Sequence, residues 1–167
     1  DCNILNLESL RWAPKKCKGS VPRARYGHTA TVYDGAMYVF GGRGENGVVY
    51  RDVDRLDLRT WTWTKMTSSN MTPPGRHGHS ATLVGDKIVI FGGYDGKNSF
   101  NDLWVYAVEQ AKWLKPKTHG RPPCARYGHS CLLGEEGGLM VFGGYSVQDG
   151  GGISGEKKPK YLFDVRE

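Results

Sequence analysis

A step of about fifty residues recurs along this chain and limits the folds open to it. Arg-Tyr-Gly-His stands at 25–28 and again at 126–129, with Arg-His-Gly-His at 76–79, so the histidines are spaced by 51 and 50 residues. Phe-Gly-Gly at 40–42, 91–93 and 142–144 keeps two intervals of 51. Trp12, Trp63 and Trp113 follow at 51 and 50. Three unrelated markers in one phase define one structural unit, repeated.

Between the markers each unit divides in the same way. Thr29 to Tyr33, a turn at Asp34-Gly35 and Ala36 to Phe40 read as a β-hairpin. Ser80 to Val84, Gly85-Asp86 and Lys87 to Phe91 form its second copy. Ser130 to Leu133, a turn over Gly134 to Gly137 and Gly138 to Phe142 form the third, with one more residue in the turn. Asp52 to Leu58 and Asp102 to Val108 supply a third strand, and the segments around Trp63 and Trp113 a fourth. Four antiparallel strands per period describe a propeller blade. Helical periodicity is nowhere sustained, so the expected class is all-β: a partial β-propeller of four-stranded blades.

The markers have physical reasons. Adjacent glycines, Gly41-Gly42, Gly92-Gly93 and Gly143-Gly144, let the chain leave the second strand with dihedrals closed to other residues and let a neighbouring backbone or ring come close. Trp12, Trp63 and Trp113 offer large apolar surfaces to bury between neighbouring blades. A single blade exposes two apolar faces and must stack to bury them.

The pattern Pro-x-x-Arg-x-Gly-His-Ser/Thr, apolar hairpin, Gly-Gly, Asp-Leu/Val, Trp resembles the Kelch motif and covers nearly the whole chain. The proline-rich lead-in at Pro22, Pro73-Pro74 and Pro122-Pro123 is similar to that of the Kelch subclass with repeats of about fifty residues. Aligned on it, residues 1–20 are the second half of a blade, 21–70 and 71–120 are one blade each, and 121–167 are most of another. Kelch-like propellers close with more blades than this, within a general range of ~4–8. The resemblance therefore implies a portion of a longer propeller, its end blades covered by the rest of the ring or by neighbouring subunits.

Composition narrows the class without naming a function. Hydrophobic residues make up 38% and charged residues 24%, a globular balance. Twenty-four glycines and 8 prolines fit many short strands and tight turns. No apolar stretch is long enough for a transmembrane helix, and no leader is visible at Asp1-Cys2-Asn3, so no membrane role is expected. The net charge of +6 suits acidic peptide, phosphate or nucleic-acid partners equally. Cys2, Cys17, Cys124 and Cys131 form no Cys-x-x-Cys pair and read as free thiols in a reducing, cytoplasmic setting, against which stands one glycosylation sequon, Asn70-Met71-Thr72. The loop from Tyr145 to Lys160, with Gly150 to Gly152 and Lys157-Lys158-Pro159-Lys160, departs from the repeat and reads as a solvated insertion or a docking loop for an acidic partner.

Arg25, Arg76 and Arg126 recur once per blade, just before the innermost strand. The Kelch resemblance places that position at the mouth of the central channel, and implies a basic ring that pairs with carboxylates, helped by Tyr26, His77 and Tyr127. The opposing expectation is structural: a residue present in every blade braces its turn through backbone carbonyls. His28, His79 and His129 sit at equivalent points of different blades, too far apart to share a metal, and read as hydrogen-bonded anchors. No metal and no cofactor is expected. The chain lacks His-Glu-x-x-His, Gly-x-Ser-x-Gly and P-loop motifs, and the Glu-x-x-x-Asp-x-x-x-His set of iron-dependent Kelch enzymes. The leading expectation is a non-catalytic protein-interaction scaffold. The alternative is the propeller part of a larger phosphatase or methyltransferase whose active site lies elsewhere. Nucleic-acid binding ranks below both, because the tryptophans fall at blade-packing positions.

Overall fold

The computed structural model describes residues 1–68, 71–135 and 137–147, and the backbone of a strand at 160–161. The strands in chain order are β1 (Cys2–Asn6), β2 (Arg11–Lys15), β3 (Lys18–Gly19), β4 (Thr29–Tyr33), β5 (Ala36–Phe40), β6 (Val53–Asp57) and β7 (Thr62–Met66). They continue as β8 (Ser80–Val84), β9 (Lys87–Phe91), β10 (Leu103–Ala107), β11 (Lys112–Leu114), β12 (Ser130–Leu133), β13 (Leu139–Phe142), β14 (Tyr145–Ser146) and β15 (Lys160–Tyr161). Among the described residues there is no helix. The protein is all-β, as expected.

Two blades are whole. One runs β4-β5-β6-β7 and the other β8-β9-β10-β11, each an antiparallel meander. The hairpins β1-β2 and β12-β13 flank them. The hairpin turns fall at Asp34-Gly35 and Gly85-Asp86, where the turn chemistry placed them. Two features had no signal in the pattern. β3 adds to the outer edge of β7 as a parallel strand, Lys18 opposite Thr62 and Gly19 opposite Trp63, and so makes a five-stranded sheet. β14 pairs with β15. Most of the Tyr145 to Lys160 insertion and Asn70 of the sequon lie outside the described residues.

The period of two along β5 assigns its side chains to two interfaces. Ala36, Tyr38 and Phe40 face the next blade, where Ile88, Ile90, Tyr106 and Trp113 meet them. Phe40 and Trp113 have ring centroids 4.8 Å apart. Val39 points the other way, with Leu56 and Trp63, toward Cys2 and Cys17. Trp63 and Trp113 thus bury between layers, but Trp12 departs from that expectation: it is 70% exposed, because no described residue packs on the outer side of β2.

The double glycine has a specific task in each blade. Gly41 has φ +67°, and a Cβ there would stand 2.5 Å from the carbonyl oxygen of Arg76. Gly42 has φ +98° and donates its N–H to that same oxygen at 2.9 Å. Gly92 and Gly93 repeat this around the carbonyl of Arg126, with distances of 2.6 and 2.8 Å. One blade therefore docks on the next by a backbone bond that side chains would block.

Candidate functional site

The lead-in turn of each blade positions Arg25, Arg76 and Arg126, and all three point inward. Arg76 is 0% exposed and Arg126 1% exposed. The Arg76 fork donates to Asp102 Oδ1 at 2.6 Å and Oδ2 at 3.0 Å, to the Gly92 carbonyl at 2.8 Å and, through Nε, to the Pro74 carbonyl at 3.2 Å. Arg25 matches it with Asp52 Oδ1 at 2.7 Å and the Gly41 carbonyl at 3.0 Å. Arg126 donates to the carbonyls of Gly143 at 3.0 Å and Cys124 at 3.1 Å. Burial raises the Asp102 carboxyl, but the hydrogen bonds and charge of Arg76 outweigh it and hold that group below the usual range. The bracing role, the second of the two expectations for these arginines, matches the contacts at Arg25 and Arg76. At Arg25 and Arg76 the guanidinium is engaged inside the blade, where it ties the lead-in turn to the start of the third strand.

Sequence reasoning passed over the partner carboxylates. Asp52 and Asp102 recur at the same step as the arginines, and two opposite charges keeping one phase are the signal for such a pair.

Tyr26, His77 and Tyr127 take a different direction from the arginines that precede them. The glycine after each joins a chain of backbone bonds across blades: Gly78 N–H to the Gly27 carbonyl at 2.7 Å, and Gly128 N–H to the Gly78 carbonyl at 2.7 Å. The three rings stand along this ladder. Tyr26 and His77 are 6.0 Å apart and His77 and Tyr127 are 6.3 Å apart, both edge-on. A second tier backs them: Tyr94 stacks on Tyr127 at 5.1 Å, and Tyr145 lies 5.6 Å from Tyr127. Paired backbone bonds set the tiers together, Tyr94 with His77 and Tyr145 with Tyr127. Tyr26 is 56% exposed. His77 is half-buried, and its Nε2 makes no hydrogen bond. Burial and then the charge of Arg43 lower its pKa, so the ring is neutral and can accept or donate. The arrangement is an aromatic surface running over three blades.

Two of the repeat histidines, His79 and His129, are anchors. His79 Nε2 bonds Thr29 Oγ1 at 2.8 Å and His129 Nε2 bonds Ser80 Oγ at 2.9 Å, each across a blade boundary. Among the described residues no three His, Cys, Asp or Glu side chains stand close enough to hold a metal ion, and no helix is long and apolar enough to cross a membrane. Cys2, Cys17, Cys124 and Cys131 are free thiols.

The KLHDC2/KLHL20/DRC7 Kelch-repeats domain family matches residues 1–161. Kelch domain-containing protein 3 of Homo sapiens is 32% identical over 167 aligned residues, covering 93% of this chain and 43% of that protein. Kelch domain-containing protein 10 of Rattus norvegicus is 31% identical over 156 residues, 87% of this chain and 37% of that protein. Tip elongation aberrant protein 1 of Schizosaccharomyces pombe is 41% identical over 112 residues, 65% of this chain and 10% of that protein. The chain spans less than half the length of these curated relatives.

Proposed function

This chain belongs to the KLHDC2/KLHL20/DRC7 Kelch-repeats domain family, and from that membership we propose that it is a non-catalytic scaffold that holds a protein partner on its aromatic face. Kelch-repeat domains are in general interaction folds rather than enzymes. The observation that carries the finer reading is the row Tyr26, His77 and Tyr127, set on one backbone ladder and backed by Tyr94 and Tyr145. Rigid aromatic rings with polar tips bury much area for little entropy and dominate protein interfaces.

The row fits an extended peptide or loop lying across the blades. Its backbone and apolar side chains would cover the rings. An acidic partner would find its cation in Arg43, beside the row, rather than in the engaged arginines of the repeat. The outer faces of the end hairpins are the further contact area, taken by the rest of the propeller or by neighbouring subunits. A cytoplasmic setting keeps the four thiols reduced.

Affinity capture from cell extract tests this reading with the chain, a Tyr26→Ala/Tyr127→Ala variant and a Trp12→Lys variant, each checked for native fold. Proteins that bind the face are lost from the double tyrosine variant and retained by Trp12→Lys. A captured set unchanged by loss of both tyrosines overturns it.

A further inference from the structure

The hairpin β1-β2 meets the first whole blade through a pair of thiols. Cys2 stands opposite Lys15 in the β1-β2 register, and directly opposed residues of an antiparallel pair share a face. Cys17 is two residues beyond Lys15, the next position on that face. Its Sγ donates to the Lys15 carbonyl at 3.7 Å. The face points at the neighbouring blade: Lys15 Nζ lies 4.7 Å from the Trp61 ring centroid, and Cys2 and Cys17 both pack on the cluster of Val39, Leu56 and Trp63. Three side chains make a small floor, so two thiols resting on it are neighbours. Burial and then the nearby Cys17 thiol hold the Cys2 thiol above its usual range.

The backbone crosses between sheets at this point. β2 ends at Lys15 in the sheet of the end hairpin, and β3 begins at Lys18 in the sheet of the next blade. Lys18 N–H donates to the Trp61 carbonyl at 3.0 Å, and Ser20 N–H to the Trp63 carbonyl at 3.0 Å. Lys16 and Cys17 lie in neither strand. A covalent bond from Cys2 to Cys17 would therefore join the first strand of the end hairpin to a segment already tied into the next blade.

Both thiols are half-buried, so a small oxidant reaches them. Lys16 and Lys18 flank Cys17, are exposed, and favour an anionic one. We propose that Cys2 and Cys17 are a modification site at which glutathione disulfide, a small anionic disulfide, installs an internal disulfide that fastens the end hairpin to the next blade. The Cys17 thiolate attacks one sulfur of glutathione disulfide, forming a mixed disulfide and releasing one glutathione thiolate. Cys2 then gives up its proton and attacks the Cys17 sulfur, releasing the second glutathione. Two protein thiols lose two electrons, and one glutathione disulfide is reduced to two thiols. Cys2 acts second because its thiolate is the harder to form. The site does not depend on the aromatic row.

The test uses the full chain, reduced and then equilibrated in glutathione buffers of rising disulfide content. Free thiols are alkylated before peptide mapping without reductant. The expected product carries a Cys2–Cys17 link and is about 2 Da lighter than the reduced chain, the two hydrogens lost. Its urea midpoint should be higher, because the closed loop restricts the unfolded chain. The native chain should form the link with an effective concentration at least about tenfold above that of the chain unfolded in urea. Cys17→Ser is expected to abolish both the link and the response of the midpoint to oxidation, whereas Cys124→Ser should change neither. Glutathione adducts at Cys17 without the internal link overturn the proposal. So does a link formed equally well in urea, since the fold would then contribute nothing, or an oxidised chain no more stable than the reduced one. These readings come from the parent chain and decide the matter if Cys17→Ser fails to fold.

Discussion

His79 Nε2 lies 2.8 Å from Thr29 Oγ1 and so bonds one blade to the blade before it. His129 does the same to Ser80. Both rings are buried. Burial, reinforced by the Arg76 charge, pushes His79 down to about 3, and burial with the Arg126 charge pushes His129 down to about 4. Unfolded, each titrates near 6.5. As pH falls below that value the unfolded chain takes up protons that the folded chain refuses. Their contribution is complete above about pH 6.5 and is lost progressively toward the folded-state values. Urea midpoints are therefore expected to fall from about pH 6.5 to 4.5, a window above the ordinary carboxylate range. His79→Gln/His129→Gln should lower the neutral plateau and flatten this slope. An unchanged slope in the double variant would place its origin in other groups.

Arg76 and Asp102 give a prediction that separates bracing from binding. Truncating one member leaves the other unpaired in a buried setting, at a cost of about 3 kcal/mol or more. Arg76→Ala should therefore unfold the chain or lower its denaturant midpoint sharply. Arg76→Lys should fall between it and the parent, because an ammonium keeps the charge but cannot span two carboxylate oxygens and a carbonyl at once. Urea denaturation followed by tryptophan fluorescence reads this directly. A native midpoint for Arg76→Ala would return the arginine to the role of a ligand-facing group.

The glycines allow a graded comparison. An alanine at Gly41 or Gly92 must adopt a positive φ and also meet a carbonyl oxygen at 2.5 or 2.6 Å. At Gly85 φ is +59°, but nothing lies within 4 Å of an added Cβ. Gly85→Ala should cost about 1–2 kcal/mol from the backbone alone. Gly41→Ala and Gly92→Ala should cost more, since a backbone carbonyl has to move. Gly143→Ala should behave like Gly85→Ala, because no described neighbour stands within 4 Å there either. Equal losses at all four positions would show that docking through these carbonyls contributes little.

What the sequence made legible follows the physics of repetition. The hairpins at 29–40 and 80–91 were readable to the residue because alternation and turn chemistry agree there. The direction of a recurring side chain was not. Arg76 and His77 are adjacent and their positions recur in every blade, yet one is sealed against Asp102 and the other stands in the aromatic row. Recurrence reports that a residue serves every blade and is silent on whether it serves the fold or a partner. Breaks in the repeat say more, such as Asp54 where the next blade has Trp104. β3 had no signal because two residues carry no period.

Among the described residues nothing covers the end faces, and the interior shows what covering them would do. Phe40 and Phe91 are each 4% exposed, whereas Phe142, at the same place in the repeat, is 55% exposed. Trp113 is 3% exposed and Trp63 6%, against 70% for Trp12. Leu10 at 72% and Met140 at 63% widen the two patches. Burying one such side chain contributes about 1.5–3 kcal/mol, so two faces of this kind favour association. Sedimentation velocity is expected to find concentration-dependent oligomers. Trp12→Lys and Phe142→Lys should each move the distribution toward monomer by weakening one face, and together nearly abolish association. Neither should disturb the fold, since both side chains already stand in water. Trp63→Lys is the contrast, because it places a charge inside the packed interface and should unfold the chain. A parent chain that stays monomeric at all concentrations would mean that these faces are covered by other residues of the same molecule.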